Sequence, residues 1–184
     1  MSRKYKIRDQ ERLYFVTFTV IEWIDLFSRQ VYRDIFLDSL RFCQTNKGLD
    51  LCAYCIMSSH AHLILGRSGD QKLEDIIRDI KKFTSVKIIQ TIKELQEESR
   101  RNFLIHHFSK AGNSNPNNSM YQVWQQHNHP IELNTEDKIN RCLNYIHRNP
   151  VEAGIVLSPE EYLYSSAKNH AGHPEKLIDV ILIE

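Results

Sequence analysis

The sequence lacks the features that mark several large classes of protein. Its 24 basic side chains nearly balance 23 acidic ones, for a net charge of +1, so it has no global basic signature of nucleic-acid binding. A local groove of Lys and Arg would still suffice for phosphate contacts. No apolar run approaches the about 18 residues that a membrane span needs. The basic start, Met1 to Lys6, is not followed by the apolar run of a signal peptide.

Cysteine is scarce, with four residues in 184, and these do not form a disulfide framework. Cys52 and Cys55 fall in a predicted strand with their side chains on opposite faces, so we expect them to fill the core rather than to bind zinc. Without an export signal, a reduced protein of the bacterial cytoplasm is expected, associated with the nucleoid if it binds DNA. A hydrophobic content of 41% supports one core. There is no internal repeat, so residues 1–184 are expected to form a single domain.

Short strands alternate with amphipathic helices along the chain. Three strands are predicted, from Leu13 to Val20, from Leu51 to Met57 and onward from His60. The tight Ser58-Ser59 connection favours antiparallel pairing of the last two. Helices are predicted over about 29–46, 72–99 and from Thr135, which can act as an N-cap. These elements predict an α+β fold around one antiparallel sheet.

Three further segments have weaker patterns. Residues 109–119 are rich in small polar residues with Gly and Pro, and this composition predicts a flexible loop. Ser158, Pro159 and Glu161 form a capping-box pattern, which predicts a short helix toward Lys168. The apolar tail, residues 177–183, is expected to add an edge strand or to pack on a partner chain.

The pair His60 and His62 is the most informative motif in the chain. Residues two apart in a strand point to the same face, with Cα atoms about 6.8 Å apart, so the two imidazoles can close on a single metal ion. Ala61, Leu63 and Leu65 supply the opposite face, which reads as core. A second pair, His127 and His129, lies in a polar stretch without strand periodicity. We interpret that second pair as part of a solvated loop.

Tyr145 and Asn149 are four residues apart, on one face of the helix that begins after Thr135. Pro150 disfavours helical geometry at Asn149, which is therefore expected at or just past the helix end. Taken alone, the pattern is also consistent with Tyr145 as an ordinary half-buried tyrosine.

Together these segments resemble a known family. Residues 57–65 (Met-Ser-Ser-His-Ala-His-Leu-Ile-Leu) resemble the HUH motif of single-strand DNA transposases, and residues 145–156 resemble the tyrosine helix of its single-tyrosine branch. The most similar members are REP-associated tyrosine transposases and related insertion-sequence transposases. The resemblance extends from Tyr14-Phe-Val-Thr-Phe18 to Tyr162-Leu-Tyr-Ser-Ser166 and includes Val123-Trp-Gln125.

The resemblance implies a ferredoxin-like sheet with both histidines on a central strand, and a metal-dependent reaction on single-stranded DNA that carries a hairpin. Tyr145 would be the nucleophile that forms a 5′-phosphotyrosine, so that strands are nicked and rejoined without ATP. His60, His62 and Asn149 would hold Mg²⁺ or Mn²⁺. Relatives include monomers as well as dimers that exchange tyrosine helices, so a homodimer is one of two expected arrangements.

Candidate DNA contacts are a basic face and some isolated residues. The long helix carries Arg78, Lys81, Lys82 and Lys87 opposite its apolar side. This face is either simply solvated or a track for the DNA backbone. His147 is a candidate DNA contact, and Trp124 could stack on a base. Tyr121, Tyr162 and Tyr164 are further candidates for stacking, although core packing is the favoured interpretation of each of these four aromatic residues.

Two other readings remain open on the sequence alone. One is a DNA-hairpin binder that has kept the fold and performs no chemistry. The other is a metal-dependent nuclease that uses water, with Tyr145 structural.

Overall fold

The computed structural model describes residues 6–115 and 120–183, and within them the chain forms one four-stranded antiparallel sheet with helices on both faces. The elements run β1 (Leu13–Thr19), α1 (Gln30–Lys47), β2 (Leu49–Ile56), β3 (His60–Arg67), α2 (Leu73–Glu94), α3 (Arg101–Asn113), β4 (Ile131–Leu133), α4 (Glu136–Glu152) and α5 (Ala167–His170). The strand order is β2-β3-β1-β4. This order confirms the predicted α+β, ferredoxin-like sheet, with β3 in a central position.

The register between β1 and β3 assigns the two faces of the sheet. Val16 pairs with Leu63 and Phe18 with Ala61, whereas Thr17 pairs with His62 and Thr19 with His60. Because side chains alternate along a strand, the first set and the histidines lie on opposite faces.

The first face is the main core, covered by α1 and α2. Phe18 packs against Phe36 of α1 and against Trp124, and the Trp124 indole donates to Thr84 of α2 at 2.9 Å. Ala61, Leu63 and Leu65 are fully buried there, as predicted. The second face, which carries the histidines, is covered by α4, because Tyr145 contacts both Phe15 and His62.

The outer edge of β2 is also covered. Ile56 N–H donates to Tyr164 O at 2.9 Å, and Ser166 N–H donates to Tyr54 O at 2.9 Å. Ile181 N–H reaches Leu51 O at 2.8 Å. The residues from 177 to 183 form no strand, so the tail covers this edge through single contacts rather than as the predicted edge strand.

Several predicted boundaries were wrong. The second long helix ends at Glu94, not at Ser99, and a separate helix, α3, occupies the start of the predicted loop up to Asn113. Residues 116–119 of that loop lie outside the described residues. Helix α3 forms because Leu104 and Phe108, four apart, bury one face against the core.

The C-terminal predictions were right in part. Thr135 caps α4, since its side chain accepts from Lys138 N–H. Ser158 and Glu161 form the capping box, but it starts only a single 3₁₀ turn, and α5 begins separately at Ala167. Within the described residues, no helix is long and apolar enough to cross a bilayer.

Gly112 of α3 is a point of close backbone approach. A Cβ there would lie 2.5 Å from the Met120 carbonyl oxygen and 2.7 Å from Tyr121 N. We expect Gly112→Ala to lower the free energy of unfolding by about 1–3 kcal/mol, although alanine normally stabilises a helix interior by about 1 kcal/mol over glycine. Urea denaturation measures this difference. Asn113→Ala at the exposed neighbouring position is the control, with an expected change within about 0.5 kcal/mol. A stabilised Gly112→Ala protein would contradict the close approach.

Candidate active site

His60 and His62 lie side by side at the start of β3. Their ring centroids are 4.7 Å apart and their planes meet at 71°. His62 is only 6% exposed. The strand alternation anticipated in the sequence therefore places both rings on one face, close enough to bind one ion together.

Each ring is held by a neighbouring hydroxyl. Thr17 Oγ1 lies 2.9 Å from His62 Nδ1, and Ser59 Oγ lies 3.2 Å from His60 Nδ1. Phe15 stacks on His62 with centroids 5.4 Å apart. Because the Nδ1 atoms are engaged by hydroxyls, the Nε2 atoms are the nitrogens left for another ligand.

Burial keeps both rings neutral. It lowers the pKa of His60, and it lowers the pKa of His62 to about 3, with a smaller contribution from the adjacent His60. Both imidazoles are therefore unprotonated at neutral pH, which is the form that binds metal ions.

Tyr145 reaches the histidines from α4. Its hydroxyl lies 3.5 Å from His62 Nε2, and the two ring centroids are 5.2 Å apart. The tyrosine is 46% exposed, so one side of it faces solvent. The Tyr145 oxygen therefore lies next to the histidine pair on a side chain that solvent reaches, an arrangement that a tyrosine nucleophile would need.

Asn149 lies one turn after Tyr145 and is half-buried. The prediction that it sits at the helix end was wrong, because α4 continues to Glu152 with Pro150 inside it. Pro150 and Ile146, four apart, are both buried on one helix face, and this packing outweighs the hydrogen bond that proline cannot make.

The donors available here fit a divalent cation. Within the described residues, no three His, Cys, Asp or Glu side chains cluster as a complete metal site. Asn149, the third ligand that the sequence predicts, would add a neutral amide oxygen to the two imidazoles. Two neutral imidazoles with one amide oxygen suit Mn²⁺, and with more water Mg²⁺.

The basic residues of α2 lie across the sheet from this site. Lys81 turns inward: its ammonium donates to Gln125 O at 2.6 Å and lies 5.5 Å from the Phe18 ring, on the core face. Arg78 pairs with Asp75 at 2.6 Å. Lys82 and Lys87 are exposed. The four residues therefore do not form one continuous track, and none is on the face of the sheet that carries Tyr145.

The predicted DNA contact at Trp124 is corrected by its burial. Trp124 is 4% exposed and packs among Phe18, Phe27 and Phe36, so its indole has no face open to a base. His147 is half-buried, and its Nε2 lies 2.9 Å from Ser166 Oγ.

His147 thus joins α4 to the segment that covers β2. Burial lowers its pKa to about 4, with a smaller effect of the adjacent His170.

The aromatic candidates Tyr162 and Tyr164 are likewise buried, as their core interpretation predicted. Tyr121 lies under Lys93, whose ammonium is 4.6 Å from its ring centroid. The second histidine pair, His127 and His129, is exposed, with ring centroids 5.9 Å apart.

Sequence reasoning missed four residues at the site: Phe15, Thr17, Trp23 and Ser59. Phe15 and Thr17 contact His62 from β1, and Ser59 contacts His60 from the turn before β3. Pairing β1 against β3 in register would have found Thr17. Trp23 lies 5.3 Å from His60 by ring centroids, just after β1. The only signal for it in the sequence was an aromatic residue directly after a strand.

Comparisons with known proteins bear on the family and on the fold of this chain. The sequence matches the family model described as "Transposase IS200 like" over residues 13–114, a segment that holds both histidines but ends before Tyr145. Comparison with curated proteins gives no match.

Among solved structures, a REP-associated tyrosine transposase bound to a REP hairpin is 17% identical, with a TM-score of 0.62, over 100% of this chain and 96% of that one. This similarity shows a common fold. A candidate transposase from Deinococcus radiodurans R1 is 18% identical over 79% of this chain and 94% of its own, with a TM-score of 0.48.

The inward position of Lys81 predicts a pH effect on stability. Burial lowers its pKa to about 8, whereas in the unfolded chain the lysine keeps its proton up to about pH 10.4. Between these values the unfolded state binds more protons, so stability rises with pH. Between pH 8 and pH 10, we expect the free energy of unfolding of wild type to rise by about 1–2 kcal/mol relative to that of Lys81→Met.

Chemical denaturation at stepwise pH measures this gain. Lys82→Met removes an exposed neighbour and should leave the slope as in wild type. Parallel pH profiles for wild type and Lys81→Met would show that the Lys81 ammonium is solvated and not turned inward.

Proposed function

Because this chain belongs to the IS200-like transposase family, we propose that it breaks and rejoins single-stranded DNA with Tyr145 as the nucleophile. The observation that carries this proposal is the position of the Tyr145 hydroxyl, 3.5 Å from His62 Nε2, on a side chain that is 46% exposed. The family match covers the histidine strand, whereas the role of Tyr145 rests on this geometry.

We propose that His60 and His62 hold a divalent cation, Mn²⁺ or Mg²⁺, with Asn149 as third ligand. When bound there, such an ion polarises the phosphate and neutralises charge on its oxygens. Thr17 and Ser59 fix the ring orientations through Nδ1, and burial keeps both rings unprotonated.

The proposed step exchanges one phosphoester for another. Tyr145 Oη bonds to the phosphorus and gives up its phenol proton as the bond to the 3′-oxygen breaks. The departing 3′-oxygen takes up a proton and becomes a free 3′-hydroxyl. The product is a 5′-phosphotyrosine, and a 3′-hydroxyl can reverse the step on the same or another strand. The number of phosphoester bonds is conserved, so rejoining needs no ATP.

The proposed substrate is single-stranded DNA with a hairpin near the cleaved bond. It is suggested by the structure of similar fold, which is described as bound to a REP hairpin. Lys82 and Lys87, exposed on the other face of the sheet, are proposed only as contacts to the DNA backbone beyond the active site. Contacts to phosphate would make binding weaken as salt rises.

The decisive test is Tyr145→Phe. Wild type incubated with labelled hairpin DNA from the flanks of its gene and Mn²⁺ should give a protein–DNA adduct on a denaturing gel. Tyr145→Phe should abolish the adduct and lower cleavage at least about 1,000-fold, since it removes the attacking oxygen. Hairpin binding should remain.

Tyr121→Phe is the matched control and should form the adduct as wild type does. Cleavage that survives Tyr145→Phe without an adduct would point to a nuclease that uses water. Binding without cleavage in wild type, unaffected by Tyr145→Phe and His60→Ala, would point to a silent hairpin binder.

Thr17→Val tests the metal proposal. Valine keeps the shape of the side chain but removes the hydroxyl that holds His62 Nδ1, so we expect Mn²⁺ affinity to fall about 10- to 100-fold. Isothermal titration calorimetry measures the affinity. Thr17→Ser keeps the hydroxyl and should restore most of it. Equal affinity in Thr17→Val and wild type would be evidence against His62 as a ligand held by Thr17.

A further inference from the structure

Trp23 is the most exposed aromatic side chain near the candidate site. It is 59% exposed, while the only other tryptophan, Trp124, is 4% exposed in the core. The Trp23 ring lies 5.3 Å from His60 by centroids, with the planes at 74°. An indole left in solvent beside a candidate metal ligand, with its neighbours Ile21 and Ile24 buried, is positioned for a partner rather than for the core.

The backbone holds this indole outward against its own preference. Glu22 and Trp23 have φ angles of +53° and +56°, in the left-handed region that residues with a Cβ rarely adopt. Such conformations persist only where the surroundings impose them, and they concentrate at functional sites.

Hydrogen bonds impose the conformation here. Ile21 N–H donates to Val123 O at 2.9 Å, and Trp23 N–H donates to Val20 O at 3.1 Å. Helix α3 holds the outer side of the turn, because His107 Nδ1 lies 2.6 Å from the Glu22 carboxylate. The turn is therefore fixed from both sides, and the indole is presented in a defined place.

Trp23 and Tyr145 lie at opposite ends of the histidine pair. Tyr145 contacts Phe15 and His62, toward the middle of β1. His60 lies opposite Thr19 at the end of β1, and Trp23 follows that end. The histidine pair therefore lies between the tyrosine and the tryptophan along the strand.

In a phosphoryl transfer the attacking and leaving oxygens lie roughly in line on opposite sides of the phosphorus. With the phosphate at the histidine pair and Tyr145 attacking from one end, the leaving 3′-oxygen points to the other end. That end is the one that carries Trp23.

We propose that Trp23 stacks on the base of the nucleotide that leaves with the free 3′-hydroxyl. This inference rests on the proposed function and deepens it. Every base has a π face, so the contact positions the strand without requiring one base. By keeping the leaving nucleotide next to the phosphotyrosine, Trp23 favours correct cleavage and rejoining over loss of the 3′ end.

The test pairs a protein change with a DNA change. First, the bond that wild type cleaves is mapped in hairpin DNA from the flanks of its gene. Trp23→Ala should then lower kcat/KM for adduct formation about 5- to 150-fold, the range for one lost stacking contact. Trp23→Phe should restore most of it. An abasic site at the nucleotide on the 3′-hydroxyl side should slow wild type to a similar extent.

The combination separates stacking from a structural effect. On the abasic DNA, Trp23→Ala should cause no further loss, because the partner ring is already absent. With the abasic site on the 5′-phosphate side instead, Trp23→Ala should lose as much as on intact DNA. The proposal would be overturned if the losses in kcat/KM from Trp23→Ala and from the 3′-side abasic site multiplied. It would also be overturned if Trp23→Phe lost as much kcat/KM as Trp23→Ala. In either case, adduct formation by wild type would leave the proposed function intact.

A second measurement does not depend on cleavage. Without metal, hairpin DNA should quench the fluorescence of wild type more than that of Trp23→Phe, whose remaining tryptophan is buried. Equal quenching would overturn the stacking proposal. If wild type forms no adduct but this difference is seen, the proposed chemistry fails, and with it the assignment of the stacked base to a leaving nucleotide, while Trp23 still contacts the DNA.

Discussion

The antiparallel register between β1 and β3 is the constraint on which the rest of this molecule depends. It sets Thr17 against His62 and Val16 against Leu63, so one face of the sheet is core and the other carries the histidines. A slip of one residue would exchange the two faces, burying imidazoles among Phe18 and Phe36 and exposing leucines. A slip would therefore lose the burial of the core side chains, and this cost keeps the histidines on the face that carries the site.

The same sheet separates two kinds of surface. Helices α1 and α2 close the core face, so the basic residues of α2 lie on the side of the sheet away from Tyr145. Helix α4 crosses the other face, where Ile146 and Pro150 anchor it and leave Tyr145 half in solvent. The Tyr145 hydroxyl and the neutral histidines thus come from separate parts of the chain and are brought together only by packing.

Local sequence pattern was sufficient to predict features that depend on a single strand or helix. The alternation around His60 and His62, the Thr135 cap and the four-residue spacing of Tyr145 and Asn149 were all readable, and the family resemblance was confirmed. Three features could not be read from local pattern, because burial against distant residues decided each of them. They are helix α3, the continuation of α4 past Asn149 and the inward turn of Lys81. The same holds for Trp124 and His147. The polarity or aromaticity of a side chain indicates that it makes a contact, but not whether its partner is DNA or another part of the protein.

The sequence alone determined the family, the fold class and the histidine pair on one strand face, since strand periodicity and linear motifs are local properties of the chain. Only the tertiary structure decided that Thr17 and Ser59 hold the rings, that burial keeps them neutral and that Tyr145 meets His62. It alone revealed the outward Trp23 on its left-handed turn. These features depend on contacts between residues far apart in the chain, and periodicity within one segment carries no information about such contacts.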